Sequence, residues 1–423
     1  MTNYRSIDRF FNGGDSMLDT KSKLMAAAIG AAFALPMAAH AQTNVVVYGK
    51  LYPDITHVNV SGALPNNAAT STLSPTGKGT NNTNLTAMDS PNSRLGFRGT
   101  EDLGDGLKAI FQLEMGFSSD TGQATDASAP FSRNTFVGLS GNFGTIRLGN
   151  MDTVYKDLGD QMNMLGIVSG NFMGTSNILS KPSFTVNGAS SFHLRRTNSF
   201  YYESPQMAGF TGLFDWSPNE VAGSASSGVI STGVKYENGP VYAALAYESH
   251  KDMFGGSNGV AGNGGTAALT SNLTTPGASS KDDALRATFQ YRFPDSWKAE
   301  LDVAQMRYRE SGQVGAGKFN EYKHNSWALG IEKLIGAVTL AGSYGQMTAG
   351  SCSLTGGVDC NTNGLEAKMF NAGVGYSFSK RTMLFGVYSY MGNNTGVASN
   401  WLDGKPTAGA DISTFAVGIS HSF

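Results

Sequence analysis

The chain contains 423 residues, of which 15% are charged and 10% aromatic, with 54 glycines and a formal net charge of −2. The charged fraction lies well below the roughly 25% that is usual in soluble domains. A mean hydropathy of −0.19 excludes a bundle of membrane helices, because each helix would need about 20 consecutive apolar residues. The near-neutral charge argues against a nucleic-acid partner. A glycine-rich, aromatic chain with few charges is instead typical of alternating barrel strands.

A short apolar segment near the start has the features of an export signal. Residues 21–41 combine two lysines, an alanine-rich run and an Ala-His-Ala ending. This order predicts a signal peptide over 1–41, cleaved at its end. Two aspartates within residues 1–16 are atypical of a signal, so Met17 is a candidate start and 1–16 a candidate non-native extension. The mature chain is then a single domain over 42–423.

After the signal, segments with a period of two recur along the whole chain, which is the pattern of strands with one apolar face and one small or polar face. An opening segment is followed by seven pairs joined by tight turns, and a final segment ends on Phe423. The segments are 45–60, 93–101 with 107–117, 132–140 with 145–149, 198–203 with 210–217, 229–237 with 241–249, 284–293 with 297–308, 326–333 with 338–348, 370–378 with 382–392, and 411–423. The sequence thus predicts sixteen antiparallel strands.

The connections between these strands alternate between two lengths. Turns such as 103–106 are short, whereas 59–91, 250–282 and 393–410 are long and rich in Gly, Ser and Asn. This alternation predicts an all-β fold, a transmembrane barrel with short periplasmic turns and long extracellular loops. A soluble β-sandwich is the alternative, but it mixes loop lengths and does not require an even number of strands.

The longest connection, 150–196, contains the segment that is least like a solvated loop. Long ordered loops tend to be functional, and a loop in water would not keep many apolar groups. We therefore expect this third loop to fold inward and narrow the aqueous channel of a large barrel. A surface helix at a subunit contact is the alternative. Its apolar residues are Met162, Met164, Leu165, Ile167, Val168, Phe172 and Met173.

Several stretches resemble the general trimeric porins of the Gram-negative outer membrane, in particular their β-proteobacterial branch. They are VVVYGKLY from Val45, SRLGFRGTEDLGDGLKAIFQLE from Ser93, FSRNTFVGLSGNFGTIRLGN from Phe131, RRTNSFYYESPQMAGF from Arg195, and the terminal Phe423. The resemblance covers the mature chain and implies a homotrimer in the cell outer membrane that lets small hydrophilic solutes and ions diffuse passively. It also implies contact with membrane lipid and lipopolysaccharide, and recognition of Phe423 by the barrel-assembly machinery.

The resemblance further implies a constriction in which basic wall residues face acidic residues of the third loop. Asp157 and Asp160 take the acidic positions, but the later part of the loop lacks the further carboxylate of cation-preferring members. Charged rings set ion preference, so we expect a weak anion preference. For each base, an ordinary rim charge is the alternative. The wall residues are Lys50, Arg94, Arg133 and Arg196 from the motifs, with Arg98 and Arg147 added from strand parity.

Two cysteines and six histidines bear on other functions. Cys352 and Cys360 lie in a Gly/Ser/Thr-rich segment and predict a local disulfide in an exported protein; we expect no metal and no cofactor. The sequence around the six histidines contains no recognisable nucleophile motif, which argues against an enzyme built on the barrel. A substrate-specific channel needs an aromatic lumen, whereas most strand aromatics have outward parity.

One strand offers a candidate subunit contact. Asn134 and Gly138 share the parity of Phe136, which we interpret as an outward face suited to a protein contact.

Overall fold

A computed structural model describes residues 44–63, 81–159, 161–166, 171–181, 191–220, 228–253, 279–399, 401 and 408–423. The proposed signal peptide over 1–41 and the predicted site residue Asp160 lie outside the described residues. Among the described residues, no helix has the length and apolar character needed to cross a membrane.

Strands make up most of the described chain. They are β1 (Asn44–Leu51), β2 (Asp54–Ala63), β3 (Asn81–Asp89), β4 (Arg94–Gly104), β5 (Leu107–Gly116), β6 (Thr135–Gly141), β7 (Gly144–Asp152), β8 (Arg195–Glu203), β9 (Phe210–Pro218), β10 (Gly228–Asn238), β11 (Val241–Lys251), β12 (Ser279–Phe293), β13 (Trp297–Ser311), β14 (Phe319–Ile335), β15 (Val338–Met347), β16 (Ser351–Leu354), β17 (Ala367–Ser377), β18 (Thr382–Asn393) and β19 (Asp411–Ser422). The described helices are α1 (Val154–Gly159) and α2 (Ser176–Leu179), with short 3₁₀ turns at Met164–Gly166, Pro294–Ser296 and Thr355–Gly357.

These segments form one closed antiparallel barrel of sixteen strands, which confirms the predicted fold class. Three barrel strands are each interrupted once, so that β1 with β2, β3 with β4, and β15 with β16 act as single strands. For example, β19 pairs with both β1 and β2. The barrel closes between its first and last strands, where Lys50 lies opposite Ser422 and His57 opposite Phe415.

Apolar side chains cover the outside of the barrel, the reverse of a soluble fold. In β12, Phe289 is 50% exposed while its neighbour Thr288 is 3% exposed. A soluble protein would bury the phenylalanine, but a barrel in lipid presents it to the hydrocarbon and turns polar groups inward. The alternation read from the sequence therefore corresponds to a lipid face and a lumen face.

A disulfide joins the start of β16 to the connection that follows it. Cys352 and Cys360 are bonded, with their Cα atoms 5.7 Å apart. In the same connection, 3₁₀ residue Thr355 accepts a backbone hydrogen bond from Gly317, 2.8 Å long, across the rim. The long-loop rim is therefore braced covalently and by hydrogen bonds at this point.

Candidate functional site

The connection between β7 and β8 lies inside the barrel, as predicted for the third loop. We call its described residues, 153–159, 161–166, 171–181 and 191–194, the inner loop. Helix α1 packs against β10, β11 and β12, the turn at Met164–Gly166 against β15 and β17, and α2 against β13, β14 and β15. The apolar residues that seemed out of place in a solvated loop are therefore buried against the wall; Leu165, for example, is 3% exposed. Ile167 and Val168 lie outside the described residues.

Glycines on the inner wall make room for the side chains of the inner loop. A Cβ atom at Gly373 would lie 2.6 Å from Leu165 Cδ1, a distance that real Cβ atoms do not show. Leu165 itself has φ of 54° and stands at the tip of the loop. A larger wall residue would therefore push the loop into the lumen. The glycines are Gly233 beneath Leu158, Gly330 beneath Met162, Gly345 beneath Ile178 and Gly373 beneath Leu165.

Hydrogen bonds from the wall fix the backbone of the same loop. Each one satisfies a backbone group that is enclosed by protein and would otherwise be costly to bury. Together with the glycine contacts, they hold the loop at four separate points around the barrel. They run from Tyr155 N to Ser231 Oγ (2.9 Å), from Met162 N to Glu300 Oε1 (3.1 Å), from Tyr242 OH to Leu158 O (2.8 Å), and from Lys50 Nζ to Gly166 O (2.5 Å).

The inner loop covers one half of the inner wall and leaves the other half open. On the covered side, the side chains of Arg286 and Asp302 are 1% and 2% exposed. On the uncovered side, Arg94 and Arg133 are 24% and 26% exposed, and Arg98 is exposed as well. Solvent therefore reaches the wall formed by β1 and β4 to β8, and the passage runs between that wall and the inner loop.

The open wall brings together four of the six predicted basic residues, namely Lys50, Arg94, Arg98 and Arg133. Lys50 is 7% exposed and donates to the loop backbone at Gly166 rather than to a carboxylate. Its ammonium also lies 4.7 Å from the centre of the Tyr52 ring. Arg98 stacks over Tyr48, with its guanidinium carbon 5.1 Å from the ring centre. Lys50 thus anchors the loop, while the three arginines border the passage.

A carboxylate that the sequence reasoning missed lies among these bases. Arg133 Nε donates to Glu114 Oε1 at 2.5 Å, and Arg94 Nε lies 3.9 Å from Glu114 Oε2. Tyr48 OH donates to the same Oε2 at 2.9 Å. The signal was present, because Gln112 and Glu114 have lumen parity in β5. Glu114 offsets one positive charge and orients two arginines.

The other predicted residues form a second group beside α1. Arg147 Nη2 donates to Glu203 Oε2 at 3.0 Å, and its guanidinium stacks 4.2 Å from the centre of the Tyr201 ring. Tyr201 OH in turn donates to Asp157 Oδ2 at 3.1 Å. Arg196 lies close enough to Asp215 to interact with it electrostatically. The structure therefore places Asp157 opposite Arg147, and not opposite the bases around Glu114.

The prediction that Asn134, Phe136 and Gly138 face outward was wrong. The ring of Phe136 lies 5.4 Å beneath the guanidinium of Arg147, and Gly138 lies opposite Arg147 in the β6–β7 ladder. The lipid-facing residues of this strand are instead Val137 and Leu139, which are 60% and 44% exposed. The Phe136 ring therefore supports a lumen arginine through a cation–π contact and does not face lipid.

Asp157 is the acidic loop residue that the structure describes, and its environment alters its titration. Part of the side chain faces the water of the lumen. Atoms of the loop and of the barrel wall occupy most of the remaining space around the carboxylate and replace water there. This desolvation, together with the nearby Asp152 carboxylate, raises the pKa of Asp157 above its usual value, while Arg147 and the Tyr201 hydroxyl oppose the shift. Among the described residues, no group of three or more His, Cys, Asp or Glu side chains could hold a metal ion.

A closed sixteen-stranded barrel with a lipid-facing apolar exterior, a charged lumen and an inward loop defines an outer-membrane channel. The chain belongs to the Gram-negative porin family, whose model matches residues 26–396. It is a protein of the outer membrane that forms a water-filled channel for passive diffusion.

Relatives and solved structures agree with this assignment. The chain is 29% identical to an outer membrane porin of Bordetella pertussis and 29% identical to outer membrane porin protein 32 of Delftia acidovorans, in each case over 95% of this chain and 100% of the relative. Its fold is similar to that of an anion-selective porin from Comamonas acidovorans, with a TM-score of 0.63 and 24% identity over 90% of this chain and 100% of the other. These relatives are channels.

Proposed function

We propose that this protein is a general diffusion porin whose constriction weakly prefers anions. The observation that carries the proposal is the open wall, where Arg94 and Arg133 share one carboxylate, Glu114, and the further bases Arg98 and Lys50 contact no carboxylate there. An excess of positive charge at the narrowest point raises the local concentration of anions and repels cations. The second group contributes little net charge, because Arg147 is paired with Glu203 and faces Asp157. The anion selectivity of the structurally similar Comamonas porin agrees with the proposal.

Reversal potentials of single channels in a salt gradient test the selectivity. The double variant Arg94→Gln/Arg133→Gln should shift the reversal potential toward cations, while Glu114→Gln should shift it toward anions. Arg307→Gln/Arg309→Gln is a matched control, because these two arginines point out of the barrel on β13. Strong cation selectivity of the native channel, or an unchanged reversal potential in the Arg94/Arg133 variant, would overturn the proposal.

The same proposal assigns residues to the two sides of the constriction. Lys50, Arg94, Arg98, Arg133, Arg147 and Arg196 form the basic wall, and Asp157 and Asp160 the acidic side. The observed contacts support two roles within this set, since Lys50 fixes the loop backbone whereas the arginines of the open wall are exposed.

The assembly of the protein extends the proposal. We propose that residues 1–41 are a cleaved signal peptide, that 42–423 form the mature homotrimeric porin in contact with lipopolysaccharide, and that the barrel-assembly machinery recognises Phe423. In support, Phe423 exchanges two backbone hydrogen bonds of 3.1 Å with Gly49 across the closing seam. Deleting Phe423 should lower the yield of assembled barrel more than the conductance of each channel that forms. A normal yield would contradict this role.

The proposal also sets aside an enzyme and a substrate-specific channel. A barrel hydrolase needs an accessible histidine to activate a nucleophile. Here, His250 and His324 are buried, with His250 bonded to Glu248 at 2.8 Å and His324 stacked on Tyr322. His57 and His421 are exposed, and their hydrogen-bond partners are the threonines Thr86 and Thr382. The lumen tyrosines Tyr308 and Tyr322 are fully buried on the covered half, so they do not line the passage as an aromatic slide. A variant without conductance that still hydrolyses lipid would revive the enzyme.

A further inference from the structure

A cavity opens from the lumen on the open wall, nearer to the short-turn rim than Arg94 and Arg133. Its volume is about 250 Å³, and β1, β4, β5 and β6 line it. One of the lining residues, Arg98, follows Arg94 by four positions along β4, which corresponds to roughly 13 Å of strand. A solute that enters from the long-loop side therefore reaches this cavity after it has passed Arg94.

The strand register shows that the residues around the cavity share the lumen face of the wall. Arg98 lies opposite Val46 on one side and opposite Gln112 on the other. Gln112 in turn lies opposite Phe136, whose ring contacts the lumen residue Arg147. Residues directly opposite each other on neighbouring strands point to the same face of the sheet. We call the space between Val46, Arg98, Gln112 and Phe136 the lower pocket.

Arg98 brings to this pocket a positive charge that forms no ion pair within the described part of the chain. The residue is exposed, and its guanidinium stacks on the ring of Tyr48. The hydroxyl of the same tyrosine donates to Glu114, which is shared by the bases of the constriction. Toward the rim, the next carboxylate on the lumen face is Asp102, which lies opposite Lys108. The charge of Arg98 is therefore available to an anionic solute.

Apolar side chains line the pocket beside this charge. Val46 is 39% exposed, although polar residues usually face the water of a barrel lumen. Ile110 lies opposite Gly138 in the β5–β6 ladder and therefore shares the lumen face. Phe136 completes the apolar side. An apolar group that displaces water from these side chains is bound favourably.

We propose that the lower pocket binds small organic monocarboxylates, with the carboxylate on Arg98 and a ring or branched chain against the apolar side. A guanidinium presents two parallel donors that match the two oxygens of a carboxylate. Thr100 and Asn44 line the pocket opposite each other and can donate to the same group. A hydrophilic anion would use the charge alone, and a neutral apolar solute would use the apolar side alone.

This inference goes beyond the proposed function, which concerns small hydrophilic solutes and depends on the constriction. The constriction favours anions over cations through Arg94 and Arg133, whereas the lower pocket discriminates among anions by the apolar body that they carry. One exposed arginine beside an open cavity retains a solute only briefly. The pocket is therefore compatible with a channel that is open to many solutes.

Block of the chloride current by benzoate, added to both sides of single channels in a planar bilayer, tests the pocket. Benzoate should reduce the current more than acetate does at the same concentration, since only benzoate reaches the apolar side. The pocket variant Val46→Thr/Ile110→Thr keeps every charge, and it should raise the half-blocking benzoate concentration about threefold or more. Arg98→Gln should raise it about tenfold.

The variant Val46→Ile/Ile110→Val is the matched control, because it exchanges the two aliphatic side chains and keeps the pocket apolar. Equal half-blocking concentrations in the pocket variant and this control would overturn the inference. Equal block of the native channel by benzoate and acetate would also overturn it. Reversal potentials in a potassium chloride gradient are measured on the same channels. The pocket variant should keep the native value, whereas cation selectivity of the native channel would contradict the proposed function and not the pocket.

Discussion

The two halves of the inner wall differ in how they hold their lumen-facing arginines. Arg286 lies on the covered half, and Arg94 lies on the open half. Both have inward parity in their strands. Arg286 is 1% exposed and bonded to Asp302 at 2.9 Å beneath α1, whereas Arg94 is 24% exposed and 3.9 Å from its nearest carboxylate. The covered half thus supports the loop, and the open half presents charge to the passing ions.

The same contrast holds for the acids. On the covered half, Glu300 accepts hydrogen bonds from the Met162 backbone and from Gln290, and Asp302 accepts from Arg286 and Thr288. These carboxylates are hydrogen-bonded and 2% exposed, so they are shielded from ions in the passage. On the open half, Glu114 is outnumbered by its basic neighbours. Charge that is buried and paired fixes structure, and charge that is exposed and in excess is what sets selectivity in the function we propose.

Replacing the buried arginine should have the largest effect. Arg286→Ala leaves Asp302 uncompensated beneath the loop, and breaking a buried pair in this way costs about 3–5 kcal/mol. Arg94→Ala should cost less than about 1 kcal/mol, because its contact is long and partly solvated. Urea unfolding of the purified barrel measures both. Equal losses of stability would show that the two halves are not distinct.

A methyl group on the wall should have an intermediate effect. Gly373→Ala places a Cβ against Leu165, so the loop tip must shift toward the passage, at a cost of about 1–3 kcal/mol for overpacking. We expect a lower single-channel conductance. Gly386→Ala is the control, because a Cβ there has Val374 Cγ1 at 4.0 Å as its nearest neighbour. Equal conductances of the two variants would indicate that the glycines do not position the loop.

Acidification should have the smallest effect. The raised pKa of Asp157 means that its carboxylate gains a proton at a higher pH than an ordinary aspartate does. As the pH falls from neutral toward about 5, still above the ordinary Asp pKa of about 3.9, the passage loses negative charge and anion preference should increase. Reversal potentials across this range measure the change. Asp157→Asn should abolish it, and an identical pH dependence in this variant would assign the titration to another group.

The strands could be predicted from the sequence because their signals are local. Alternation in segments such as 284–293 and short turns such as 103–106 depend on neighbouring residues only, and the observed strands agree with these two. The predicted connection 59–91 was wrong in part, because it contains β3 (Asn81–Asp89). The position of the inner loop depends on contacts between residues far apart, such as Leu165 and Gly373, which no local pattern contains. For the same reason, the sequence could place Arg286 on the lumen side but could not show that the loop covers it. Glu114 was available from parity and was overlooked.

The seam between the first and last strands has a consequence for the order of folding. Gly49 and Phe423 exchange hydrogen bonds although nearly the whole barrel separates them along the chain. Contacts of such long sequence separation require the largest loop closure and form slowly. The barrel therefore cannot close until β19 has been synthesised and exported. Until then, β1 and every strand at the growing end expose unpaired edges, which are prone to aggregation and must be shielded in the periplasm.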